Sequence, residues 1–120
     1  MKTYPYGREL RLLTPAHFSS VFNSSPRKFA CRLYTILVSK NQLGHPRIGF
    51  TISKKKAKLA VDRNRIKRVV RDNFRLNQAD LPAVDMVFIA RQGISDCDNK
   101  QIHKELEITW QKLRKFSAKL

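Results

Sequence analysis

Apolar side chains recur with a helical period near the middle of the chain. Leu59, Ile66, Val70 and Phe74 share one face, with Val69 at its edge. This spacing predicts a helix from about Ala57 to Asn77. A second helix is predicted from about Asn99 to Ala118, where Ile102, Leu106, Trp110 and Leu113 form the apolar face among mixed charges. Thr14-Pro15 is a helix-start signal, a capping hydroxyl followed by a residue with helical φ, and predicts a short helix to about Asn23, before the stretch SSP. Phe18, Val21 and Phe22 fall on one face of it. Two segments alternate or favour β-branched and aromatic types instead. KFACRLYTILVSK and RIGFTIS read as two antiparallel strands joined through NQLGHP, whose Asn, Gly and Pro suit a hairpin loop. VDMVFIA is almost continuously apolar, as a strand covered on both faces is.

The predicted order is helix, strand, strand, helix, strand, helix. It describes an α+β protein, a two-layer α/β sandwich on one mainly antiparallel sheet whose strand order the pattern leaves open. The 120 residues suit a single domain spanning 1–120, with no internal repeat or low-complexity run. A hydrophobic content of 42% with seven Phe is too high for a disordered chain, so the charge it carries lies on a folded body.

That charge is large. The chain has 25 Lys plus Arg against 9 Asp plus Glu, a formal net charge of +16. A compact body with this imbalance repels itself and calls for a polyanionic partner, nucleic acid or an anionic membrane. A membrane partner by insertion is not expected, because an apolar run of about 18 residues is missing. The opening MKTYPYGREL lacks the apolar stretch of a secretory signal. Cys31 and Cys97, without CxxC spacing or a neighbouring His, read as free thiols of a reducing compartment, so a cytoplasmic protein without a structural metal is expected.

Half of the net charge sits in one segment. From Thr51 to Arg75 ten basic side chains stand against Asp62 and Asp72, a net +8. On the predicted helix Asn64, Arg68, Arg71 and Arg75 fall within an arc of about 60° opposite the apolar face. Solvated helix faces usually interleave acids one turn from the bases, and this one mostly does not. A one-sign stripe is the footprint of a nucleic-acid site, in which Arg forks contact phosphate in two places and Lys supplies compact charge. Asn64 reads either as a phosphate or base contact or as a helix-start residue. Phe18 and Phe22 read from spacing as core. A protein-only nuclease would need clustered carboxylates or a positioned His base. The Asp residues and His17, His45 and His103 are scattered, so no catalytic residue is assigned. DNA is not the expected partner, because the long helix has neither a heptad seam nor a helix-turn-helix companion. Charge leaves a general RNA-binding structural protein or RNA chaperone, without any role in cleavage, as an open alternative.

AVDRNRIKRVVRDNF, with its Arg-Asn-Arg box on a basic helix, resembles the signature of the bacterial ribonuclease P protein subunit. RELRLLTPAHFSSVF, RIGFTISKKKAK and DMVFIAR resemble the other segments of that family in the same order, over nearly the whole chain. The resemblance implies a sheet with a left-handed βαβ crossover, like domain 2 of ribosomal protein S5, against the usual right-handed rule. It implies a subunit that binds the catalytic RNA of ribonuclease P and the 5′ leader of precursor tRNA, with the chemistry and its Mg2+ belonging to the RNA. It places Arg63, Asn64, Arg65, Lys67, Arg68 and Arg71, with Arg75 from the stripe above, against the RNA. A leader cleft is implied between the sheet and the first helix, formed by Phe18, Phe22, Tyr34, Ser53, Lys54, Lys55 and Arg91. Where relatives often carry Lys after that Arg, this chain has Gln92.

Overall fold

The computed structural model describes residues 11, 15–24 and 26–117; Thr14 and the N-terminal decapeptide lie outside the described residues, as does Ala118. Helix α1 spans Pro15–Phe22, strands β1, β2 and β3 span Arg27–Ala30, Tyr34–Lys40 and Arg47–Thr51, helix α2 spans Ala60–Asn77, strand β4 spans Val84–Ala90 and helix α3 spans Asn99–Ser117. The four strands form one mixed sheet in the order β1-β2-β4-β3. β1 pairs antiparallel with β2 and β2 antiparallel with β4, whereas β3 runs parallel to β4. α2 supplies the connection that two adjacent parallel strands require.

Two sequence expectations give way here. The stretch read as one strand is a hairpin, β1 and β2, closed by a turn at Cys31–Leu33 in which the Cys31 amide donates to the Tyr34 carbonyl at 2.9 Å. β2 and β3 are antiparallel in direction but are not partners, because β4 is inserted between them. Burying the apolar VDMVFIA on both faces and both edges is the reason: six of the seven β4 residues are buried.

Alternation divides the sheet into two faces. Tyr34, Ile36 and Val38 of β2, Ile48 and Phe50 of β3, and Met86 and Phe88 of β4 meet the apolar faces of α2 and α3 in the main core. Ile66, Val70 and Phe74 of α2 and Ile102, Leu106, Trp110 and Leu113 of α3 are all 0% exposed. Each such side chain contributes about 1.5–3 kcal/mol by burial. On the other face Leu37 and Val87 join Val21 of α1, with Phe18 and Ile89 packed against them.

Helix ends follow local chemistry. Asp98 and Gln101 cap α3 reciprocally, the Gln101 amide donating to Asp98 Oδ1 at 2.8 Å and the Asp98 amide to Gln101 Oε1 at 3.1 Å. α2 begins at Ala60, three residues later than its periodicity predicts, because Ser53–Ala57 closes its own turn through the Ser53 carbonyl. Leu59 is therefore the N-cap position and 58% exposed rather than part of the apolar face.

α2 and α3 are also tied by a buried polar cluster. Asn73 Oδ1 accepts from Trp110 Nε1 at 2.6 Å, while Asn73 Nδ2 donates to His103 Nδ1 at 2.9 Å and to Glu107 Oε1 at 3.3 Å. Arg114 Nη2 donates to Asn77 Oδ1 at 3.2 Å. Although Arg114 Nε is buried without a partner, the hydrogen bonds centred on Asn73 fix the rotation of one helix against the other.

Candidate nucleic-acid interface

α2 turns its apolar side to the sheet and thereby presents its basic side outward. Asn64, Arg68 and Arg71 are exposed and Arg75 is half-buried. Asn64, Lys67 and Arg68 have no hydrogen-bond or ion-pair partner among the described residues. Arg71 lies with its guanidinium carbon 5.6 Å from the Phe50 ring centroid, held over the β3 edge by a cation–π contact. Arg75 approaches Asp72 at 3.9 Å, a loose pair on the helix surface.

The flanking arginines of the box do different work. Arg63 curls back so that Nη1 donates to the carbonyls of Ala57 at 2.8 Å and Lys58 at 2.9 Å, bracing the turn that leads into the helix. Arg65 donates to Asn99 Oδ1 at 2.8 Å and to the Ser95 carbonyl at 3.1 Å, linking α2 to the start of α3. Gly93, at φ 94°, makes the turn that brings Ser95 there. Asn64, in the second turn of α2, is not a cap.

The residues expected in a cleft separate into two groups. Because β3 and β4 are parallel, Ser53, Lys54, Lys55 and Arg91 all leave the same end of the sheet, and all four are exposed. There Thr35, Ile89 and Thr51 stand side by side in register on the α1 face. Arg91 is steadied by donating from Nη1 to the Cys31 carbonyl at 3.0 Å. Phe18 is half-buried against Val21, Leu37 and Val87, and Phe22 on the same helix is 46% exposed. Tyr34 does not belong with them. Its ring is 0% exposed on the opposite face, 5.0 Å from Phe88, and its hydroxyl shares a 2.6 Å hydrogen bond with Thr109 of α3. Burial pushes the Tyr34 hydroxyl well above the ordinary range of a phenol.

One pair escaped the sequence reading. Arg47 forks onto Asp85, Nε to Oδ1 at 2.8 Å and Nη2 to Oδ2 at 2.7 Å, with side-chain exposures of 17% and 9%. Asn41 Nδ2 adds a third bond to Asp85 Oδ1 at 2.9 Å. Burial works to raise the Asp85 carboxyl, but the hydrogen bonds from Arg47 and Asn41 outweigh it and hold the group below the usual carboxylate range. The same bond raises Arg47. The two residues are cross-strand partners, so the pair locks the β3–β4 register on which the alignment of Thr51 with Ile89 depends. An Asp inside an apolar strand was the available signal.

Among the described residues no group of three or more His, Cys, Asp or Glu stands close enough to hold a metal ion, and no helix is long and apolar enough to cross a membrane. These features define a small α+β protein that concentrates positive charge on an outward helix face and at one end of its sheet. The family model for ribonuclease P matches residues 6–114. The ribonuclease P protein component of Idiomarina loihiensis is 55% identical over 114 residues, covering 95% of this chain and 91% of that protein. The solved ribonuclease P protein of Staphylococcus aureus superposes with a TM-score of 0.78 at 32% identity, over 85% of this chain and 93% of the other. That of Thermotoga maritima gives 0.75 at 26% identity, over 85% and 96%. The chain belongs to the bacterial ribonuclease P protein family.

Proposed function

We propose that this protein is the RNA-binding subunit of a cytoplasmic ribonuclease P, and that it helps a catalytic RNA remove the 5′ leader of precursor tRNA. The observation that carries the reading is the face of α2, where Asn64, Lys67, Arg68 and Arg71 stand outward without an acid to neutralise the row. The packing of α2 on the sheet and α3 preorganises this face, so little ordering entropy opposes binding. Arg68 and Arg71 meet phosphates of the RNA; Arg63 and Arg65 hold the helix in place and offer their remaining N–H groups at its edge. Arg75 extends the row by one turn.

The single-stranded leader lies along the α1 face near Thr35, Ile89 and Thr51. Lys54, Lys55 and Arg91 contact its phosphates, Ser53 donates from its hydroxyl, and the exposed Phe22 ring, with Phe18 beside it, receives a base. Stacking of this kind contributes about 1–3 kcal/mol per base, so a leader-bearing substrate binds tighter than the product. In this reading the Mg2+ and the bond cleavage belong to the RNA, and the protein binds and positions.

Cleavage of a precursor tRNA by bacterial ribonuclease P RNA at low magnesium, with and without the protein, tests this. Stimulation that disappears in the Arg68→Glu, Arg71→Glu double variant supports the reading. Absence of stimulation despite tight RNA binding would replace it by a general RNA-binding role.

A further inference from the structure

The sheet order puts β3 and β1 at opposite edges. The α2 basic row lies toward the β3 edge, where Arg71 covers Phe50. At the β1 edge a separate groove of about 640 Å³ runs between β1 and the last turns of α3, lined by Arg27, Lys28, Phe29, Lys112, Lys115 and Phe116. Arg27 and Phe116 also line an adjoining depression, which adds Lys40. Five cations from three elements thus converge, and no Asp or Glu is among the described residues that line either hollow.

Each part of this has a local explanation, and the parts together do not. Basic residues on a short edge strand discourage pairing with another sheet, which accounts for Arg27 and Lys28. Lys near a helix C-terminus interacts well with the dipole, which accounts for Lys115. Neither effect turns two helical lysines toward a strand that already carries two cations. Such convergence is self-repulsive without a counter-charge. The floor is built as well: the Arg27 guanidinium carbon sits 5.0 Å from the Phe116 ring centroid and 5.9 Å from that of Phe29, and the two rings meet edge to face at 5.9 Å. A guanidinium fixed over an aromatic ring is a platform on which an unpaired base can stack.

We propose that the β1–α3 groove is a second RNA-binding surface, which holds a single-stranded segment by its phosphates and one base, so that the protein joins two RNA segments at opposite edges of its sheet. The inference rests on the RNA-binding role proposed above. Binding of the full-length protein to bacterial ribonuclease P RNA, measured over a series of salt concentrations, separates the two. Lys112→Gln with Lys115→Gln should bind more weakly and flatten the dependence of log affinity on log salt by about 1.4–1.8, the equivalent of two phosphate contacts. The Glu pair at the same positions should weaken binding further, and Lys104→Glu, exposed on α3 outside the groove, should match the parent. If both groove variants keep the parent's affinity and slope while Arg68→Glu with Arg71→Glu loses binding, the groove has no RNA role and the α2 reading stands. If neither groove nor α2 variants change binding, both readings fall. A circular-dichroism melt of each variant identifies any loss caused by unfolding, and the Gln pair, which keeps helix propensity and size, then decides the outcome.

Discussion

Replacing Asp85 by Ala should destabilise the protein by about 3 kcal/mol, and the geometry explains why the cost is high for a single charge pair. The carboxylate takes three hydrogen bonds, two from Arg47 and one from Asn41, at 2.7–2.9 Å. Arg47 keeps only 17% of its side-chain surface and Asp85 9%, so water does not replace the lost partner fully. Breaking a buried pair from one side costs about 3–5 kcal/mol, mainly through the charge left behind, and the partial exposure of Arg47 places this pair at the lower end. For a domain of 120 residues that corresponds to a fall in Tm of about 12 °C. Arg47→Leu removes the stranded cation, so the double variant should be more stable than the sum of the single losses predicts, by about 1.5–3 kcal/mol in a thermodynamic cycle. The pH dependence has a definite sign. Because the folded state lowers the Asp85 carboxyl, its contribution is complete above the unfolded value of about 3.9 and disappears as pH falls through the folded value. Parent and Asp85→Ala should therefore converge in stability below about pH 4, again near the unfolded reference value. Urea melts at pH 7 and in the acid range measure all of this. An additive cycle, or a difference that persists unchanged at low pH, would refute the account of Asp85 as an ionised, hydrogen-bonded partner.

Tyr34→Phe removes the hydroxyl bonded to Thr109 and should cost about 1 kcal/mol of stability while leaving affinity for leader-bearing tRNA untouched; a loss of leader affinity without destabilisation would return Tyr34 to the cleft. Phe22→Ala, at a 46% exposed position, should barely alter the melting curve but weaken binding of precursor tRNA by about 1–3 kcal/mol, with mature tRNA unaffected in the same holoenzyme competition assay. Asn73→Ala leaves the indole N–H of Trp110 buried without its acceptor and should cost about 2–3 kcal/mol, read by chemical denaturation monitored through Trp110 fluorescence; a neutral result would mean the α2–α3 network is not a constraint.

Much of the architecture was legible because it is periodic. The apolar faces of α2 and α3 and the continuous run of β4 appear in the sequence with the residues that occupy the core. The β1–β2 hairpin was not, since its turn at Cys31, Arg32 and Leu33 contains neither Gly nor Pro. Missing that turn also hid which face Tyr34 occupies, because strand parity is counted from the turn. The position of β4 between β2 and β3 depends on contacts distant in sequence, which local propensity does not encode. On the interface side, the composition of the α2 row was plain, and Asn64, Arg68 and Arg71 emerge where the helical wheel puts them. That Arg63 and Arg65 are partly occupied with backbone and loop carbonyls follows from the tertiary fold and not from helical periodicity, as does the Arg47–Asp85 pair, whose members are 38 positions apart.

The insertion of β4 also has a bearing on how the molecule is made. β4 enters the sheet beside β3, its partners 38 positions earlier, and beside β2, which lies further back. Until Val84–Ala90 has been synthesised, β2 and β3 each lack a neighbour and the basic helix has no complete sheet to lie on. Long-range pairings of this kind slow folding and leave strand edges open in the interval. A nascent chain that has emerged only through α2 therefore displays the most cationic segment of the protein before it has a fixed shape, and a chain stopped there would retain its charge while lacking the strand that joins the two halves of its sheet.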